Sequence, residues 1–172
     1  EGTLSFSYNN ETEQITIEPK RLDIGGHPFT IGAKINLAKH SSAFAISIDV
    51  KDIYYRDISL LLAPNISSKL LQFGIEKPVN IKGNIIDDGS GKYGDPLINV
   101  AMTVRDNVVS IPEGKLTSCN FDGSFTNRDT LGGVIGDENS LIKFNKLTAK
   151  YFNAPFKIDT FLINNLSRPI AT

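Results

Sequence analysis

The sequence predicts a mostly β fold: an antiparallel, strongly twisted or curved sheet of hairpin repeats, with one or two short helices near residues 57–73. Three observations predict it. Apolar residues alternate with period two along most of the chain. Turn-forming residues punctuate the alternation. One segment carries helical spacing instead.

The elements follow in order. Leu4-Ser5-Phe6-Ser7-Tyr8 opens the chain as a strand, and Ile15-Thr16-Ile17 follows. Gly25-Gly26 supplies a reversal. Phe29, Ile31, Ala33, Ile35 and Leu37 then alternate with polar or small residues, as do Phe44, Ile46, Ile48 and Val50. From Asp57 to Phe73 the pattern changes. Ile66, Leu70 and Phe73 stand at i, i+4, i+7, a helical stripe. Asp57 and Asn65 are candidate N-caps, Pro64 a break, Gly74 a stop and Pro78 a terminator. Alternation resumes with Val79, Ile81, Gly83 and Ile85, then Ile98, Val100, Met102 and Val104, then Phe121, Gly123 and Phe125. Asp87-Asp88-Gly89-Ser90-Gly91, Arg105-Asp106-Asn107, Pro112-Glu113-Gly114 and Asn127-Arg128-Asp129 are the expected turns between them.

Some of these hairpins repeat one another. Gly26-His27-Pro28-Phe29, Gly94-Asp95-Pro96-Leu97 and Asn153-Ala154-Pro155-Phe156 each place Gly or Asn two residues before a proline that opens a strand. Gly or Asn supplies positive φ for the reversal, and proline is tolerated at a strand's start. The repeats span about residues 15–37, 79–104 and 141–166. The middle unit is out of phase: Ile98, Val100 and Met102 carry its stripe. A bulge near Leu97 or a different buried face would account for that.

Composition narrows the function. The chain is 40% apolar with a formal net charge of -1. Nucleic acid is therefore not expected as a partner, because it requires a strongly basic surface. No apolar run approaches the ~20 residues of a membrane-crossing helix. The single methionine is Met102, so residues 1–172 are expected to be one β-rich section of a longer protein.

Catalytic chemistry is not legible, and neither an enzyme nor a cofactor is expected. His27 and His40 are the only histidines and have no ligand-spaced partner for a metal. Asp87-Asp88-Gly89-Ser90-Gly91 lacks the spacing of a calcium loop. Gly132-Gly133-Val134-Ile135-Gly136 lacks the Lys-Ser/Thr of a phosphate loop. Cys119 reads as a small packed residue.

The stretch Leu141-Ile142-Lys143-Phe144 through Asn153-Ala154-Pro155-Phe156-Lys157-Ile158 to Asn164-Asn165-Leu166-Ser167-Arg168-Pro169 resembles the periplasmic region of AsmA-like envelope proteins. Asn120-Phe121-Asp122-Gly123-Ser124-Phe125 is similar to that family's glycine-containing strands. The resemblance implies a section of a periplasmic protein of the Gram-negative cell envelope, whose parent is anchored in the inner membrane. It further implies a non-catalytic β-groove that binds or transfers phospholipid and supports outer-membrane assembly or homeostasis, with adjoining segments of the parent chain as neighbours. Phe29, Ile31, Phe44, Ile46, Ile98, Val100, Phe156 and Ile158 are the candidate groove residues. The alternative is a β-rich interaction or adhesin-like module that binds no lipid, in which the same side chains fill a closed sandwich.

Overall fold

The computed structural model describes residues 5–37, 43–61, 71–92, 96–130 and 133–172. Among the described residues the chain forms one open sheet of eleven strands. These are β1 (Phe6–Asn9), β2 (Gln14–Ile24), β3 (His27–Asn36), β4 (Ala43–Ile53), β5 (Gly74–Ile75), β6 (Val79–Asp87), β7 (Leu97–Ile111), β8 (Gly114–Thr126), β9 (Leu141–Tyr151), β10 (Ala154–Asn164) and β11 (Ile170–Ala171). One short helix, α1 (Tyr55–Leu61), follows β4. A 3-10 turn at Asp137–Asn139 precedes β9. Sheet order follows chain order, except that β5 steps aside to pair with β7. Every ladder is antiparallel. A meander of this kind pairs each strand with its sequence neighbour, so period-two alternation places one stripe of every strand on the same face.

Two of the repeated hairpins share one turn geometry. Gly25 and Gly26 have φ of 61° and 82°; Phe152 and Asn153 have φ of 46° and 62°. Two successive positive values match the right-handed twist of the flanking strands. Phe152 has a bulky side chain in a conformation that favours Gly or Asn, and it is 85% exposed. The double change F152N/N153G is expected to stabilise the protein by about 1 kcal/mol, read as a higher denaturant midpoint with unchanged slope.

The middle unit differs for another reason. Its register runs without a shift from Ile86↔Leu97 to Asn80↔Thr103. There is no bulge at Leu97; that residue faces the opposite side, beside Ile86. The Tyr93-Gly94-Asp95 part of its reversal lies outside the described residues.

Two further expectations are corrected. Arg105-Asp106-Asn107 is not a turn between strands, because β7 runs through it to Ile111. Asp106 has φ 42° and forms a bulge instead. The helix also begins before Asp57, which lies in its first turn rather than at its cap. An acidic residue there suits the positive end of the helix dipole. Gly74 belongs to β5 opposite Ser110, and Phe73 lies in the bend just before it. Asn65, Pro64, Ile66 and Leu70 lie outside the described residues.

The Asp106 bulge is one of a row. Asp52 in β4, Ser118 in β8 and Lys146 in β9 also have positive φ, of 53°, 51° and 54°. Asn side chains from neighbouring strands hold two of them: Asn80 Oδ1 accepts from Asp52 N at 3.1 Å, and Asn120 Oδ1 from Asp106 N at 2.8 Å. Each bulge adds a residue, shifts the alternation by one and increases local bend and twist. Apolar spacing accordingly jumps from two to three, at Val50 to Ile53 and Phe144 to Leu147, so the stripe stays on one face.

The buried core lies along this row. Val50, Ile53, Val79, Val104, Cys119, Phe121 and Ala149 are each at most 5% exposed, and Phe29 and Ile58 pack with them. Helix α1 is fixed there by His27 Nε2 against Asp57 Oδ2 at 3.0 Å. Ser59, completely buried, donates its hydroxyl to Tyr55 O at 2.8 Å. Burial pushes the Cys119 thiol up to about 11 from its ordinary 9.0. A raised thiol pKa stabilises the fold below the unfolded value and loses that contribution as pH rises through the folded value. The stability gap between the wild-type chain and C119A is therefore expected to hold steady up to pH 9.0 and shrink between 9.0 and about 11. Denaturant titrations across that range measure it.

Candidate functional site: an apolar sheet face

Directly opposed residues of neighbouring strands share a face, so the registers convert into transverse rows. One row runs Phe6, Ile17, Ala33, Ile46, Ile85, Ile98. The next runs Ile31, Ile48, Gly83, Val100, Phe125, Ile142, Ile163. A third runs Leu22, Phe29, Val50, Ile81, Met102, Gly123, Phe144, Phe161. One face of the sheet is thus mostly apolar from β1 to β10, roughly 40 Å at the usual strand spacing of ~4.8 Å, with Lys20 opposite Ile31 in the second row and His27 and Asp87 at strand ends. The other face is polar in the same registers: Thr30, Asp49, Lys82 and Ala101 stand opposite one another in turn, and Ser124 and Lys143 continue them.

The apolar face is covered unequally. Along the bulges its side chains are buried beside α1 and β5. In the two rows nearer the opposite strand ends, none of the side chains named above is fully buried, and Phe6 is 71% exposed. Antiparallel sheets with one apolar face ordinarily pack it against a second layer. Here the only layers over it among the described residues are the short helix and its neighbours.

The candidate groove residues fall on this face but not in one cluster. Ile46 and Ile98 share a row with Ile85 between them, and Ile31 and Val100 share the next. Phe44 lies toward the strand end beside Ile35. Phe29 is buried in the core rather than lining open surface. Phe156 and Ile158 occupy the same face on β10, opposite Ala149 and Leu147, distant from the others. Ile81, Ile85, Met102, Ile142, Phe144, Phe161 and Ile163 complete the surface. The jump from spacing two to spacing three was the available sequence signal for how these stripes join across the bulges.

Phe144 bridges Phe121 and Phe161, with ring centroids 5.2 and 6.0 Å apart. The carboxylates of Asp87 and Asp88 accept from Gly89 N at 2.7 Å and Ser90 N at 2.8 Å, so they close their own turn. Among the described residues, no group of three His, Cys, Asp or Glu side chains gathers as a metal site would require. His40 lies outside them. No helix among the described residues is long and apolar enough to cross a membrane.

No family model, curated protein or solved structure matches this chain.

Proposed function

We propose that the chain is a non-catalytic, phospholipid-binding section of an envelope protein, in which the open part of the apolar face carries acyl chains. The observation that supports this reading is that the apolar rows together reach from β1 to β10 with no second sheet over them among the described residues. Acyl chains need burial and no directional partner. Each methylene removed from water contributes about 0.8 kcal/mol, so a face several strands wide suffices without polar recognition. Transfer requires weak, distributed contacts, and an aliphatic row supplies them better than a deep pocket. A Gram-negative periplasmic location and an inner-membrane-anchored parent belong to the same proposal, from the AsmA-like resemblance of the strands after Ser110.

The test is uptake of a fluorescent phospholipid from vesicles by the purified chain. Saturable uptake supports the reading. No uptake, together with stable binding of a protein partner through the same face, overturns it in favour of an interaction module.

A further inference from the structure

The hairpin of β9 and β10 turns on a residue that costs stability. At the same end of the sheet, β2 and β3 make the same two-residue turn with Gly25-Gly26, so the turn itself does not call for an aromatic residue. Phe152 nevertheless holds a positive φ of 46° and is 85% exposed. Backbone strain of this kind concentrates at functional positions. The ring is not loose. It stands edge-on to Tyr151, with centroids 4.6 Å apart, and the Tyr151 hydroxyl donates to Glu113 O in the adjacent turn at 2.9 Å. Gly114, at φ 147°, makes room for the Tyr151 ring: a Cβ there would meet its Cε2 at 3.3 Å. The aromatic pair is thus held against a neighbouring hairpin, with Phe152 left in water at the end of the sheet.

Positive charge gathers on the same hairpin. From Leu141 to Asn164 it carries Lys143, Lys146, Lys150 and Lys157 against Asp159, a net of +3 in a chain whose total is -1. Asp159 pairs with Lys157 Nζ at 2.8 Å. Lys150 is exposed beside Tyr151, opposite Thr117 and Pro155. In the adjacent hairpin Glu113 is exposed, and Lys115 pairs with Glu76 at 2.9 Å. We infer that this tip docks on a phospholipid bilayer with anionic heads, Phe152 entering the headgroup region while the lysines stay at its surface. Charge complementarity is one warrant: a basic segment is drawn to an acidic lipid surface. The rigid, exposed aromatic is the other, because the bilayer interface accepts rings that water does not. This inference stands apart from the lipid-groove reading, since it concerns where the chain docks and not what its face carries.

The experiment is flotation of the purified chain with vesicles of phosphatidylcholine, alone or with about 30% phosphatidylglycerol to supply the acidic heads. The wild-type chain is expected to float with the anionic vesicles and to lose most of that binding at high salt. K150Q should weaken it about fivefold, the usual effect of one lysine at an anionic surface. F152N/N153G should weaken it about tenfold, the loss of one ring from the interface. That variant is expected to be more stable than the wild type, so its denaturant midpoint separates lost docking from lost folding. The chain has no tryptophan, so F152W introduces a single reporter. Its emission should shift to the blue on anionic vesicles. V134W, at a position 75% exposed between β8 and β9 at the opposite end of the sheet, should show no shift. No flotation of the wild-type chain, or equal flotation of F152N/N153G, overturns the docking site whatever the uptake assay shows. Flotation without phospholipid uptake overturns the groove and leaves the docking site standing.

Discussion

Replacing Asn107 with leucine is expected to lower the stability of the chain by about 3 kcal/mol, one of the largest single-residue losses available in this fold. Asn107 is 1% exposed and lies opposite Cys119, just past the Asp106 bulge. Its side chain fills the gap between β5 and β6. Oδ1 accepts from Lys77 N at 2.9 Å and Val108 N at 2.8 Å, and Nδ2 donates to Lys77 O at 3.0 Å. The two Lys77 groups lie where β5 ends and β6 has not begun, and Val108 N lies in β7 beside the bulge, where the register with β8 is broken. Leucine has similar volume and no polar atom. It would leave two donors and an acceptor without their partner, at about 1–3 kcal/mol for each group that stays dry. The Lys77 side chain adds a surface link to Asp106, whose carboxyl it holds below the ordinary range by hydrogen bonding and charge. That link is fully exposed and does not replace the buried one. Urea denaturation of N107L, with an unchanged slope, measures the loss; a decrease below about 1 kcal/mol would falsify this account of the gap.

The second large effect concerns the face. The pair I46D/V100D is expected to reduce phospholipid uptake by about 100-fold or more, because carboxylates on the acyl path must be desolvated at a cost of several kcal/mol. Ile46 and Val100 are half-buried and stand in adjacent rows on β4 and β7, so both lie under any chain crossing the sheet there. Neither belongs to the buried cluster, so the fold should survive. A101D is the control. Ala101 is exposed on the other face, opposite Lys82 and Ser124, where a carboxylate meets water and a cation. Uptake should be unchanged in A101D. Equal losses in both variants would mean that global charge, and not the face, governs uptake.

Much of the sheet was legible because its code is local. Alternation at Phe29 to Ile35, Phe44 to Val50, Val79 to Ile85 and Ile98 to Val104 needs only the period of the pleat. Gly25-Gly26 announces a turn by composition. Arg105-Asp106-Asn107 was misleading because polar residues that favour positive φ suit a turn and a bulge equally well. The helix boundary was misplaced because an acid in the first turn and an acid at the cap are close in sequence and both favourable.

The sequence by itself determined that this is an antiparallel, hairpin-connected β chain with one apolar stripe per strand and a short helical segment near residues 57–73. Strand phase and turn chemistry are properties of neighbouring residues. Only the tertiary structure decided that the stripes join into a single face and that, among the described residues, no second sheet closes over it. It also decided that Lys20 lies on that face. Those outcomes depend on register between strands and on where the bulges fall. A shift of one residue reverses every side chain beyond it, and that shift is settled by pairing across the sheet.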